Sequence, residues 1–211
     1  MKLLVVSATE AEIAPFSSAK EGEGHADILV TGPGVPATIY QLTKALLKNS
    51  YDLVINAGIA GSFDRNLPTG TVVQVVSDGF ADLGAEDGDA FLDIFRLGLI
   101  DPDALPFEKG KLRNDFRIPE LREADGLTVN TAHGNEARIE AIRARFPAHT
   151  ESMEGAGFFY VCMNEGVNCL QLRAVSNYVE KRNRENWNIP LAVKQLNAAL
   201  AGIVRKYSGA W

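Results

Sequence analysis

Residues 51 to 62 read "YDLVINAGIAGS". From Leu53 to Ile55 the run is apolar at every position instead of alternating. That pattern suits a strand covered on both faces better than one with a wet side. The run then passes into small residues, with Ala60 and Gly61 leaving the main chain nearly bare where the strand ends. The same signature recurs as "KLLVV" from Lys2, "DILVT" from Asp27, "TVVQVV" from Thr71, "GLTVN" from Gly126 and "CLQLRAVS" from Cys169. Between these runs lie helical patterns at about 35–49, 135–145, 154–166 and 188–207. Strands and helices in alternation predict an α/β fold: a three-layer α/β/α sandwich around a central mixed sheet. Residues 1–211 are expected to form a single domain. The acidic, glycine- and proline-rich piece from Phe80 to Asp115 interrupts the rhythm and is expected to be an excursion over the surface or around a site.

Composition limits the partners. The chain has 211 residues, 46% of them hydrophobic, and a formal net charge of -6. No basic run offers a track for phosphates, so nucleic acid is excluded as a partner. No stretch of 18 apolar residues occurs, and "MKLLVVSATE" lacks the form of a signal peptide, so the expectation is a soluble cytoplasmic protein with no membrane partner. Cys162 and Cys169 fall in a helical and a strand pattern without a CxxC motif, and read as buried thiols. His25, His133 and His149 are scattered. No metal and no cofactor is implied.

Five features invite a chemical reading, each beside a bland one. Gly32, Gly34 and Ala37 form a G-x-G-x-x-A pattern between a strand and a helix. A dinucleotide site needs an acid at the end of the following strand, whereas Asp52 precedes it, so a tight turn is favoured. Ala60 and Gly61 let a planar ligand approach the backbone, or simply pack closely at a crossover. Glu12 matches Thr9 as a capping box, but Pro15 inside the same short helix speaks against that reading, and Glu10 is expected to be solvated. Met153 and Glu154 precede the small residues Gly155, Ala156 and Gly157. Glu154 is either an ordinary first-turn acid or a carboxylate able to accept both hydroxyls of a vicinal diol, with Met153 as an apolar face for a sugar. Arg173 and Asn177 lie at one strand end, where buried polar groups need partners.

Taken together, "MKLLVVSATEAE", "INAGIAGS", "ESMEGAGFFYVC" and "LQLRAVSN" resemble, in the same order, the nucleoside phosphorylase and nucleosidase superfamily, and within it the purine nucleosidases. "GFADLGAE", "LGLIDP" and "YVEKRNRENWNI" also resemble its futalosine-cleaving branch. The resemblance implies a nucleoside phosphorylase-like fold and a small-molecule nucleoside substrate, with Met153 and Glu154 gripping ribose, Glu12 activating water, Arg173 near the nucleophile and Asn177 reading the purine. It also implies a homodimer or higher homo-oligomer. Where methylthioadenosine and adenosylhomocysteine nucleosidases have Asp, Ser and a second Glu, this chain has Asn177, Ile59 and Ser152. An amide at position 177 suits a 6-oxopurine, donating to O6 and accepting from a protonated N7. The resemblance therefore implies hydrolysis of futalosine to release hypoxanthine. An adenine-type nucleosidase or a purine nucleoside phosphorylase is the enzymatic alternative, and a nucleoside-binding protein without catalysis the third. Backbone groups around Ala60, Gly61 and Thr131 to His133 are the alternative readers of the base.

Overall fold

The computed structural model describes residues 1–18 and 26–209. His25 lies outside them. In chain order the elements are β1 (Leu3–Ser7), α1 (Glu10–Ser17), β2 (Asp27–Val30), α2 (Val35–Lys48), β3 (Leu53–Ser62), β4 (Val72–Asp78), β5 (Gly84–Asp87), β6 (Ala90–Asp93), β7 (Leu112–Arg113), β8 (Arg122–Thr128), α3 (Glu136–Arg145), β9 (Thr150–Ser152), α4 (Gly155–Asn164), β10 (Cys169–Tyr178) and α5 (Ile189–Ser208). A short 3-10 turn, Arg184–Asn186, leads into α5.

The main sheet is mixed. Its path runs β10-β4-β8-β9-β3-β1-β2, and β3 also pairs directly with β10. Five strands therefore close on one another, and β1 and β2 extend from β3 as a parallel wing. Alternate residues of the apolar runs serve opposite layers. Leu3 and Val5 of β1 join Leu53 and Ile55 of β3 and Leu170 and Leu172 of β10 in a core with Ile13 and Phe16 of α1 and Leu196 and Leu200 of α5. Leu4, Val6 and Val54 face the other way, against Leu42 of α2 and Phe158, Phe159 and Cys162 of α4. This is the three-layer α/β/α arrangement. Each such Leu, Ile or Phe contributes roughly 1.5–3 kcal/mol by leaving water, which is why the strands read as unbroken apolar runs. A third cluster seats Ile139 and Ile142 of α3 on Leu127, Val129, Phe63 and Val179, beyond the ends of β8, β3 and β10. Cys162 and Cys169 are free and buried, and burial pushes the Cys162 thiol well up, helped by its hydrogen bond with Cys169.

Three sequence expectations need correction. The run from Asp27 is not covered on both faces: β2 is the sheet's edge, and Ile28 and Val30 are 40% and 38% exposed. The strand anticipated at "GLTVN" begins earlier, at Arg122, because its polar first half is held by pairing with β4 and not by burial. Within the excursion, β5 and β6 form a hairpin of their own around Gly88 and Asp89, and β7 returns to pair with β4.

Candidate active site

At the carboxyl ends of β1, β3 and β10 lies a cavity of about 440 Å3, lined by residues from every layer of the fold. Glu12 enters from the first turn of α1. Its Oε2 accepts from the Thr9 amide at 3.0 Å, the Thr9 hydroxyl at 2.8 Å and the Ser7 hydroxyl at 3.3 Å, and its Oε1 accepts from the Ile59 amide at 3.1 Å. The capping box is therefore present despite Pro15, which corrects the expectation that the proline weighs against it. One carboxylate serves two elements: one oxygen caps α1, and the other is tied to β3 at half-buried Ile59. Glu10 is exposed, as expected.

Glu154 approaches from the N-terminal end of α4. Its Oε1 accepts from the Gly34 amide at 2.9 Å and its Oε2 from the Met153 amide at 3.3 Å. Gly34 has φ +89° and Gly32 +87°, a left-handed backbone that glycine alone adopts without strain. The G-x-G turn is thus a device for presenting an amide to Glu154, and its Pro33 lines the same cavity.

The far end of the cavity comes from strand register. Gly61 of β3 pairs with Glu151 of β9 on one side and with Asn177 of β10 on the other, where a bulge at Ser176 shifts the ladder. Glu151, Gly61 and Asn177 stand in one row on neighbouring strands about 4.8 Å apart, and the missing Gly61 side chain makes room for its neighbours: a Cβ there would lie 2.8 Å from Val179 Cγ2 and 3.4 Å from Asn177 Nδ2. Asn177 Oδ1 accepts from the Ser176 hydroxyl at 2.7 Å, and its Nδ2 donates to the Tyr178 carbonyl at 2.9 Å. A carbonyl only accepts, so the amide's orientation is set, with one N–H and one oxygen lone pair left over. Opposite, Glu151 is 6% exposed. It takes the His133 amide on Oε1 at 2.9 Å and the His133 Nδ1 on Oε2 at 2.5 Å.

Arg173 lies beneath this surface, 1% exposed, and does not line the cavity. Its Nη2 donates to Asn56 Oδ1 at 2.5 Å and its Nη1 to the Leu172 carbonyl at 2.9 Å, while Nε has no hydrogen-bond partner. Burial depresses its affinity for the proton, and the nearby carboxylates of Glu154, Asp78 and Glu12 work in the opposite direction. Gly58 marks where it meets Glu12: a Cβ built there would lie 3.1 Å from Glu12 Oε1 and 3.4 Å from Arg173 Nη1.

Of the residues singled out from sequence, Glu12, Ala60, Gly61, His133, Met153, Glu154 and Asn177 line the cavity. Thr131 does not. It belongs to a neighbouring, open cavity of about 840 Å3 that shares only Ala132 and His133 with this one. The His133 backbone amide is already taken by Glu151, which removes it as a reader of the base. Sequence reasoning missed Glu151 itself, although it opens the quoted motif, along with Arg182 and Trp187, whose guanidinium and ring stack at 5.1 Å on the cavity wall.

Residues 13–207 match the family described as the phosphorylase superfamily. The chain is 35% identical to a futalosine hydrolase of Acidothermus cellulolyticus, over 96% of this chain and 90% of that protein, and 38% identical to one of Streptomyces coelicolor, over 82% and 76%. The chain belongs to the phosphorylase superfamily, and within it to the futalosine hydrolase family. Among solved structures, the 5'-methylthioadenosine/S-adenosylhomocysteine nucleosidase of Neisseria meningitidis superposes with a TM-score of 0.80, 17% identity, and coverage of 97% of this chain and 99% of that one. The chain thereby shares its nucleoside phosphorylase-like fold with that nucleosidase. In this futalosine hydrolase family member the far end of the cavity carries Asn177 on one side of Gly61 and the His133–Glu151 pair on the other.

Proposed function

We propose that this chain hydrolyses the N-ribosidic bond of futalosine, releasing hypoxanthine. The observation that carries this reading is the pairing of two held carboxylates, Glu12 and Glu154, with a neutral, orientation-fixed Asn177 at the far end of the same cavity. Glu12 acts as general base toward water, its carboxylate held in place by its amide and hydroxyl donors. Glu154 accepts the 2'- and 3'-hydroxyls with the lone pairs its two backbone amides leave free, and its charge favours the positive charge developing on the sugar. As the C1'–N9 bond breaks, its electrons pass to the purine, whose N7 takes a proton from solvent, and the C1'–O bond forms to the water oxygen whose proton goes to Glu12 and from there back to solvent. Asn177 donates its remaining N–H to O6 and accepts from the protonated N7. Arg173, behind Gly58, sets a positive charge beneath the two carboxylates and opposes their field.

Glu12, Glu151 and Glu154 together give the cavity an acidic lining that repels phosphate, which supports hydrolysis over phosphorolysis. The family relatives support futalosine as substrate, and with it a role in the futalosine route to menaquinone, in the cytoplasm. Among the described residues no helix is long and apolar enough to cross a membrane. A homodimer or higher homo-oligomer is part of the proposal, supported by Leu99 and Leu105, which are 69% and 94% exposed on the excursion. The test is release of free base by the purified protein from futalosine, inosine and methylthioadenosine, with and without phosphate. Hypoxanthine and free ribosyl product from futalosine, independent of phosphate, is the expected result. Preference for methylthioadenosine, or ribose 1-phosphate as product, would overturn it.

A further inference from the structure

The helix that carries Glu12 has a proline within its short span. α1 has eight residues, with Pro15 at its sixth position. A proline there supplies no N–H, and its ring presses on the carbonyl one turn back, that of Ala11, which opens the turn. The neighbouring pair, the Glu12 carbonyl and the Phe16 amide, is the one an uninterrupted helix would join directly. Here a side chain from the other end of the chain spans it. Asn197 of α5 donates its Nδ2 to the Glu12 carbonyl at 2.8 Å and accepts the Phe16 amide on its Oδ1 at 2.9 Å. The second Nδ2 proton goes to the Val193 carbonyl at 2.7 Å, one turn back in α5. Phe16 can only donate and the two carbonyls can only accept, so the amide has one orientation, and at 5% exposure it has no water to substitute for it.

We propose that Asn197 is a positioning residue for Glu12: it replaces the helical hydrogen bond that Pro15 displaces, and so fixes the backbone of the residue whose carboxylate faces the substrate. Its partners are all main-chain groups, and it does not line the cavity. The requirement is specific to the amide. Asp would lose the donor to the Glu12 and Val193 carbonyls, Leu would lose all three hydrogen bonds, and Ala would in addition leave a void between α1 and α5. The inference rests on Glu12 as the base.

The experiment is a double-mutant cycle between Asn197→Leu and Pro15→Ala, read as separate kcat and KM values with futalosine, with circular dichroism and direct nucleoside binding recorded for every variant. Pro15→Ala alone should turn over like the wild type. Asn197→Leu should lower kcat by about ten- to a hundredfold, the range that small misplacements of a reacting group produce, with KM and nucleoside affinity within about twofold. In the double variant, where residue 15 regains its N–H and the helix can close its own bonds, at least most of the lost kcat should return. Asn197→Asp, closer in shape, provides the same reading if the leucine variant folds poorly: kcat lowered, and restored by Pro15→Ala. A variant whose melting temperature falls while kcat per folded molecule stays at the wild-type value would show that Asn197 merely satisfies a buried helix contact and would overturn the inference, as would a loss of kcat that Pro15→Ala leaves unrepaired. Glu12→Gln separates this from the reading beneath it. A fully active Glu12→Gln enzyme removes the base assignment itself, whereas an inactive one beside a fully active Asn197→Leu removes only the positioning role.

Discussion

Glu12 illustrates how one side chain carries two physical duties at the residue scale. Four donors hold its carboxylate, two of them backbone amides from segments some fifty positions apart, and such a group loses little shape but all of its basicity on becoming an amide. Glu12→Gln is therefore expected to lower turnover by roughly a hundredfold or more, the contribution typical of a general base, while a nucleoside still binds. Calorimetric binding beside steady-state rates checks this, and near-wild-type turnover would return Glu12 to a purely capping role. Asn177 makes a second prediction at the same scale. Because Tyr178 pins the amide, flipping it to suit a 6-amino base breaks that part-buried hydrogen bond and sets an oxygen against the carbonyl, a cost of about 1–3 kcal/mol. The wild type should accordingly prefer futalosine to its 6-amino counterpart, and Asn177→Asp should shift the ratio of kcat/KM values by roughly ten- to a hundredfold toward the amino substrate. An unchanged ratio would hand the reading of the base to backbone groups around Ala60 and Gly61, which line the same cavity.

Single elements show why some of this was legible in sequence and some was not. α2, α3, α4 and α5 lie within a residue or two of their periodic patterns, since amphipathic spacing is a local property. The strand runs were legible for the same reason, but the exposure of β2 was not, because being at the edge depends on which strands fail to pair with it. The hairpin β5–β6 did carry a local signal, two short runs separated by Gly88 and Asp89, which acidic composition obscured. Glu151 was hidden differently: β9 has three residues, too few for any periodicity, and the residue acquires meaning only when β9 lies antiparallel against Gly61. Gly58 is another case in which a role emerges only from an element's neighbours. On β3 it separates Glu12 from Arg173, and a methyl group there would have to move a carboxylate oxygen by a few tenths of an ångström. Gly58→Ala should leave the fold intact, since the atoms in its way are side-chain ends, yet lower kcat about tenfold by displacing a reacting group. Normal kcat in a well-folded Gly58→Ala protein would mean that Glu12 has more freedom than its four donors suggest.

For the whole molecule, the decisive fact is that the cavity has no single owner. Glu12 comes from α1, Gly61 from β3, Glu151 from β9, Glu154 from the start of α4, Asn177 from β10 and Val193 from α5. The closed pairing of β10, β4, β8, β9 and β3 binds most of these strands into one hydrogen-bonded circuit, a closure that composition and periodicity do not encode because it depends on β3 pairing with β10 and β9 along different parts of its length. A ligand bound across these elements should stabilise all of them together. For one site saturated at a hundred times its dissociation constant, the linkage is about 2.7 kcal/mol, which for a domain of this size converts to a rise in melting temperature of roughly 5–11 °C. Scanning calorimetry with a non-hydrolysable 6-oxopurine nucleoside should show one transition moving upward by that amount, with inorganic phosphate producing no comparable shift because the acidic lining offers it no site. Two transitions, only one of which responded to the nucleoside, would contradict the expectation of a single domain. A phosphate-dependent shift would undercut hydrolysis at its root, since an enzyme that holds phosphate beside Glu12 has a competitor for water at the sugar.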